Sequence, residues 1–186
     1  MQLETKRLTL REFEESDAEA CNEYERQPHV VRYQSFPTRT LDESLDYIKD
    51  SMASARESPR SIYDLAVVLR EGGAEGGRLV GRCGLKVTSR EDREGALWYI
   101  LHPEYWGRGL IVEAARALLA FGFEELALHR VIVDSEPANT ASIRVAEKLG
   151  MRREAHFVEN AWVKGVWTDS VIFALLDREW RAQERA

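Results

Sequence analysis

Residues 96–111 read Ala-Leu-Trp-Tyr-Ile-Leu-His-Pro-Glu-Tyr-Trp-Gly-Arg-Gly-Leu-Ile, and the side-chain period changes inside them. Ala96 to Leu101 is a continuous apolar run of strand length, the pattern of a strand buried on both faces. From Leu110 onward, Ala114, Ala117, Leu118 and Phe121 recur at helical spacing and end near Gly122. Gly107-Arg108-Gly109 lies at the junction. The first N–H groups of a helix have no intrahelical acceptor, and the macrodipole adds positive character there. Glycines let a phosphate approach the main chain closely, and Arg108 can add a charge. The strand–glycine–helix order is therefore a candidate anion site, with a tight turn as the competing reading. Two common phosphate loops are excluded: Val112 stands where GxGxxG needs its third glycine, and no Gly-Lys-Ser/Thr follows.

Further strands lie on both sides of this stretch. Ile62 to Leu69 and Leu79 to Val87 are rich in branched residues, and Glu71 to Gly77 reads as a flexible hairpin loop between them. Near the start, Arg7 to Arg11 alternates polar and apolar residues as a half-buried strand. Ser16 or Asp17 then caps a helix to about Arg26, with Ala18, Cys21 and Tyr24 on one face. Pro28 ends it, and His29 to Pro37 is aromatic and irregular. Thr40 opens a second helix through Leu41, Leu45, Ile48 and Met52. Downstream, Arg130 to Asp134 is a strand and Asn139 to Lys148 a helix closed by Gly150. Strands over Arg152 to Glu159 and Val166 to Leu176 flank a turn at Lys164-Gly165, and Asp177 to Arg185 is a charged helical end. With no repeat, low-complexity tract or linker, residues 1–186 read as a single α/β domain around a mixed sheet.

Composition narrows the function classes. The chain is 44% hydrophobic and 31% charged, ordinary for a globular domain. A net charge of −6 argues against nucleic acid as the main partner, while leaving room for a local basic patch. Cys21 and Cys83 cannot form a disulfide framework and lack any Cys/His ligand spacing, so no metal is expected. No apolar run approaches the length of about eighteen residues that reads as a membrane span, and the start lacks the apolar stretch of a signal peptide. No membrane contact and a cytoplasmic location are the expectation.

The second informative segment is Asn139-Thr140-Ala141-Ser142-Ile143-Arg144-Val145-Ala146-Glu147-Lys148-Leu149-Gly150-Met151. Taken alone, Asn139 is a helix N-cap and Ser142 a residue of the first turn. In order along the chain stand ETKRLTLR (4–11), PEYWGRG (103–109) followed by Glu113-Ala114, His129-Arg130, NTASIRVAEKLGM (139–151) and ENAWVKGVW (159–167). Together they resemble the GCN5-related N-acetyltransferase (GNAT) superfamily, in its RimJ/RimL-like branch of ribosomal-protein N-terminal acetyltransferases. The resemblance runs from Leu3 to Trp180.

That resemblance implies an α/β (α+β) fold. Its central mixed, mostly antiparallel sheet has about seven strands, is splayed between the fourth and fifth, and is flanked by about four helices. Acetyl-CoA, the co-substrate, inserts at the splay, and its acetyl group passes directly to a primary amine. The acceptor is then a peptide N-terminus or a small amine such as a polyamine or an antibiotic. A non-catalytic acyl-CoA-binding module is the competing class. The implied diphosphate cradle is Trp106, Gly107, Arg108, Gly109, Leu110, Ile111, Val112 and Glu113. Against the family signature Gln/Arg-x-x-Gly-x-Gly/Ala, Trp106 and Ile111 are departures. Ile100 and Leu101 are expected to offer main-chain groups to the pantetheine arm, Asn139 to contact it, and Ser142 to hydrogen-bond the departing thiolate.

An amine attacks a thioester only when neutral, so its proton needs an acceptor. Asp134 and Glu159 are the candidate side chains, with relay through water as the alternative. His102, His129 and His156 read as structural. A covalent cysteine intermediate is disfavoured, because Cys83 falls inside a strand and Cys21 inside a helix, neither beside a histidine. Acceptor recognition falls to Gln27–Thr40 and Glu159–Trp167, where Tyr33, Phe36 and Trp162 are aromatic candidates. An exposed strand edge would permit a homodimer.

Overall fold

The computed structural model describes residues 1–70 and 77–185. Among them lie strands β1 (Gln2–Glu4), β2 (Leu8–Arg11), β3 (Ile62–Leu69), β4 (Arg78–Ser89), β5 (Glu94–Leu101), β6 (Arg130–Ser135), β7 (Arg152–Val163) and β8 (Val166–Leu176). Helices α1 (Ala18–Glu25), α2 (Leu41–Ser54), α3 (Leu110–Glu124), α4 (Thr140–Lys148) and α5 (Asp177–Gln183) surround them. The strands form one sheet in the order β1-β2-β3-β4-β5-β6-β8-β7. The strand beyond the expected seven is β1, too short for a periodic signal, which pairs antiparallel with β2. The fifth helix is the charged C-terminal segment. The hairpin loop expected over Glu71–Gly77 lies, except for Gly77, outside the described residues.

Every pairing is antiparallel except β5 with β6. That parallel pairing covers only Glu94–Ala96 against Arg130–Ile132. Past Ala96 the two strands separate, while β5 stays paired with β4 as far as Leu101 and β6 with β8 as far as Ser135. The sheet is thus splayed at its one parallel junction.

Two apolar layers cover the faces. Leu65, Leu85, Leu97, Leu118, Val131 and Phe173 belong to the larger core under α3. Cys21, Tyr24, Ile48, Ala66, Val68 and Ile100 form the smaller one under α1 and α2. β5 departs from the expectation of burial on both faces. Leu97, Ile100 and Leu101 are buried, but Ala96, Trp98 and Tyr99 only partly, since Trp98 borders a cavity and Tyr99 the splay. α3 ends near Gly122, as expected. The helix continues to Glu124, and Gly122 permits close approach to β4, since a β carbon there would lie 2.9 Å from Leu85 Cδ2.

Local rules set the helix starts. Thr40 caps α2 as the sequence predicts: its Oγ1 accepts from Glu43 N (3.3 Å) and its N–H donates to Glu43 Oε2 (2.7 Å). At α1 the cap differs. Asp17 makes no cap bond to the helix; it accepts two hydrogen bonds from Arg11 (2.7 and 2.8 Å) and one from Glu14 N. No helix among the described residues is long and apolar enough to cross a membrane.

One buried charge ties α1 to the sheet. Glu25, fully buried, accepts from Arg39 (3.0 Å) and Ser44 Oγ (3.1 Å) and forms an ion pair with Arg82 (3.0 Å). Removing one partner of such a cluster leaves the others charged in a dry interior. Glu25→Ala should therefore lower unfolding stability by about 3–5 kcal/mol, read from urea titration. A loss under about 1 kcal/mol would show that the arginines find other acceptors.

Candidate active site

The junction after β5 is built from the bottom by local bonds. His102 Nδ1 accepts from Glu104 N (3.3 Å), opening a short 3-10 turn at Pro103–Tyr105, and Trp106 N donates to Pro103 O (3.1 Å). Gly107 and Gly109 then both take φ +75°, in the left-handed region that disfavours side chains. Glu113 N donates to Gly109 O (3.1 Å), the first bond of α3. Among the described residues, no protein group accepts from the N–H groups of Gly107 through Val112. This run of donors sits at the positive end of a 15-residue helix.

Glu113 itself is occupied elsewhere. Its carboxylate accepts from Thr5 Oγ1 (2.7 Å), Arg7 N (2.8 Å) and Arg7 Nε (2.7 Å), and Arg7 Nη1 donates to Arg108 O (3.0 Å). Burial raises this carboxyl, but the bonds from Thr5 and Arg7 outweigh it and hold it below its ordinary range. The side chain braces the start of α3 against the turn between β1 and β2, which accounts for Thr5 and Arg7 of the ETKR motif. Trp106 is half-exposed, packs edge-on to His29 at 5.8 Å, and donates from Nε1 to Leu101 O (2.8 Å).

The open edge of β5 follows from register. Main-chain groups of an antiparallel ladder alternate sides. His102 N donates to Val80 O (2.8 Å), and Arg82 lies opposite Ile100. Ile100 therefore spends its N–H and C=O on β4, contrary to the expectation that it faces the splay. Leu97, Tyr99 and Leu101 turn theirs the other way, where β6 has departed. With the Leu97 N–H spent on Ile132 by the last β5–β6 pairing and the Leu101 carbonyl taken by Trp106, the free groups are the Leu97 C=O, both groups of Tyr99 and the Leu101 N–H.

Across the splay, Asn139 Oδ1 accepts from Ser142 N (3.2 Å) and caps α4. Tyr99 was missed by sequence reasoning. Its hydroxyl lies 2.9 Å from Ser142 Oγ and 3.2 Å from Ser142 O, joining β5 to α4. Burial pushes its phenol up to about 12 against the pull of the serine bond, so the hydroxyl keeps its proton at neutral pH. Asp134 is exposed near the end of β6, opposite Ile172. Glu159 is exposed at an irregularity of β7 with φ +46°; its N–H donates to Asp169 Oδ1 (2.9 Å), and its carboxylate makes no hydrogen bond among the described residues.

On the opposite face of β5, a cavity of about 500 Å³ lies between α2 and the sheet, with Phe36, Tyr47, Asp64, Arg82 and Trp98 in its walls. The Trp98 ring lies over Gly84, where any side chain would collide with it. Of the three aromatic candidates only Phe36 lines this cavity. Tyr33 stacks under Arg32 at 5.2 Å, and the exposed Trp162 packs edge-on to Trp167 at 5.2 Å. Yet the two expected recognition segments do meet, because Lys164 Nζ donates to Val31 O (2.8 Å) and Arg32 O (3.0 Å). Asp64 had a sequence signal, being the single charge within the apolar strand β3, whereas Arg82 shares β4 with Arg78 and Lys86.

A family model for the acetyltransferase (GNAT) domain matches residues 7–152. The chain belongs to this family. It is 32% identical over 180 residues to the uncharacterized N-acetyltransferase YnaD of Bacillus subtilis, covering 97% of this chain and 99% of that protein. The GNAT-family acetyltransferase from Bacillus anthracis superposes with a TM-score of 0.84 at 30% identity, over 96% of this chain and 100% of that one. RimL, a ribosomal alpha-N-protein acetyltransferase solved with coenzyme A, shares the fold: TM-score 0.82, 14% identity, 95% of this chain and 98% of that one. With N-acetyltransferase relatives along its length, this GNAT domain is an acetyl-CoA-dependent acyltransferase.

Gly109 meets nothing nearer than Arg7 Nη2 at 3.8 Å, so a side chain there disturbs backbone conformation rather than packing. Gly109→Val should weaken coenzyme A binding at least tenfold by calorimetry with an unchanged circular dichroism spectrum. Unaltered affinity would place the diphosphate elsewhere.

Proposed function

We propose that this GNAT domain transfers the acetyl group of acetyl-CoA directly to the α-amine of a polypeptide. The observation that carries the reading is the unbroken run of unpaired main-chain donors, Gly107 to Val112, opening onto the free edge of β5. A diphosphate fits there: the donors are unsatisfied, the glycines leave the approach clear, and the helix end favours negative charge. The pantetheine amides fit the edge at Leu97, Tyr99 and Leu101 as an added strand would. The donor molecule supplies an activated acetyl carbonyl and a thiolate leaving group.

The chain's own groups supply the rest. An edge N–H of β5 polarises the acetyl carbonyl. The amine nitrogen forms its bond to the carbonyl carbon as the carbon–sulfur bond breaks, and the electron pair leaves on sulfur. When the Tyr99 hydroxyl donates to Ser142 Oγ, the serine proton is free to donate to that sulfur. The amine proton goes to Asp134 or Glu159, directly or through water. Neither cysteine serves as a relay, because burial pushes the Cys21 thiol up to about 12 and the Cys83 thiol higher still. An acidic chain suits a cationic acceptor in its resting form, and the cytoplasm is the proposed compartment. RimL supports the polypeptide acceptor, as a protein of the same fold whose name states that chemistry.

Thiol-release assays over peptides and small amines test the reading: peptides should turn over, and their kcat/KM should rise with pH toward the α-amine pKa of about 8. Acetylation of small amines alone would contradict it. Ser142→Ala should lower kcat about tenfold, roughly 1.4 kcal/mol, with KM little changed. Unchanged kcat at saturating acceptor, with chemistry limiting, would remove the serine from that role.

A further inference from the structure

Tyr99 meets the splay twice. Its N–H and C=O lie on the edge of β5 that β6 has left, and its side chain crosses to the start of α4. Ser142 is held from two sides. Its N–H donates to Asn139 Oδ1 (3.2 Å), and its Oγ lies 2.9 Å from the Tyr99 hydroxyl, which is also 3.2 Å from Ser142 O. Both residues are only partly buried, so neither is sealed in the core.

The count of protons decides what this contact does. A phenol carries one proton, a serine hydroxyl carries one, and each oxygen can also accept. Two arrangements follow. In the first, Tyr99 donates to Ser142 O, and the serine proton is spent on the phenol oxygen. In the second, Tyr99 donates to Ser142 Oγ, and the serine proton points away from the tyrosine. The distances favour the second, because 2.9 Å falls inside the usual range of an O–H···O bond and 3.2 Å outside it. Among the described residues the phenol has no hydrogen-bond partner besides Ser142 to redirect its proton, and burial keeps that proton in place.

Without the tyrosine, Ser142 would be free. It stands in the first turn of α4, where a hydroxyl rotates among staggered positions or turns back on a carbonyl of the preceding turn. The shared bond removes that freedom. A hydroxyl that accepts one hydrogen bond is also polarised to donate the next more strongly.

We infer that Tyr99 is a positioning residue for the leaving group: its hydroxyl holds Ser142 Oγ as an acceptor and so aims the serine proton at the departing sulfur. The inference rests on the transferase reading, and within it on the role of Ser142. As the carbon–sulfur bond breaks, its electron pair stays on sulfur and the serine O–H hydrogen-bonds to it. Neither hydroxyl gives up its proton, and the thiolate takes one from water after release. The effect of the tyrosine side chain on rate passes through the serine.

A double-mutant cycle at saturating peptide and acetyl-CoA tests this. Tyr99→Phe keeps the ring and should lower kcat about fivefold, the worth of one neutral hydrogen bond, with KM for acetyl-CoA changed less than about twofold. Made in Ser142→Ala, the same substitution should cost less than about twofold. With acetyl-seleno-coenzyme A, whose selenolate is the weaker base and needs less help to leave, the Tyr99→Phe loss should also shrink below twofold. A packing role would instead slow both backgrounds and both donors. A loss that persists in Ser142→Ala or with the selenoester overturns the inference, as does a Tyr99→Phe enzyme with unchanged kcat. A second measurement needs no variant. With tyrosines carbon-13 labelled at Cζ, coenzyme A and its desulfo analogue should leave the Tyr99 signal at different positions, since only the first sets a sulfur against Ser142. Coincident positions would overturn the inference. The failures separate: a tenfold loss in Ser142→Ala with none in Tyr99→Phe sinks the tyrosine alone and leaves the transferase reading standing. Unchanged kcat in Ser142→Ala sinks the serine's role in that reading and this inference together.

Discussion

Main-chain donors without an internal partner must be met by water or by a ligand, and among the described residues this fold sets two such groups of donors in neighbouring segments. These are the outer edge of β5 past Ala96 and the start of α3 from Gly107 to Val112. In an ordinary α/β sheet β6 would cover the first and a side-chain cap the second. Here the parallel pairing stops early and the cap position is a glycine. What the protein lacks in internal bonds is therefore laid out in two neighbouring segments, suited to a long ligand with amides at one end and phosphate at the other.

Holding these segments open requires rigidity nearby, and polar ties provide it. Glu113 clamps Thr5 and Arg7 to the cradle, and Trp106 fastens the cradle to Leu101. Tyr99 joins the free strand edge to the capped start of α4. On the other face Glu25 holds Arg39 and Arg82, so the wall of the cavity under α2 is fixed by a buried charge cluster rather than by apolar packing alone. The cavity and the splay thus lie on opposite faces of β5, Trp98 facing the first and Tyr99 the second.

Much of this was legible because it depends on short-range patterns. The switch from the run at Ala96–Leu101 to the period beginning at Leu110 located the strand-to-helix junction, and Thr40 and Asn139 marked two helix starts where they occur. Other features depend on register and tertiary approach, which a sequence does not display. Ile100 was expected at the splay, but which residues turn their amides outward depends on pairing with β4. Gly122 marks the helix end in the sequence, and only the fold shows Leu85 lying against it. Tyr99 looks like one more apolar strand residue until Ser142 is brought across to it. Asp64 was open to notice, since a lone charge in an apolar strand demands a buried partner, while Arg82 is one of three charges in β4. Their convergence on one cavity required the fold.

Residue-resolved amide hydrogen exchange with and without coenzyme A tests the central claim most directly. Protection should rise at Gly107–Val112 and at Tyr99 and Leu101, while Ile100, already bonded to β4, changes little. Protection gained elsewhere, with both of those segments still exchanging as in the free protein, would contradict the account.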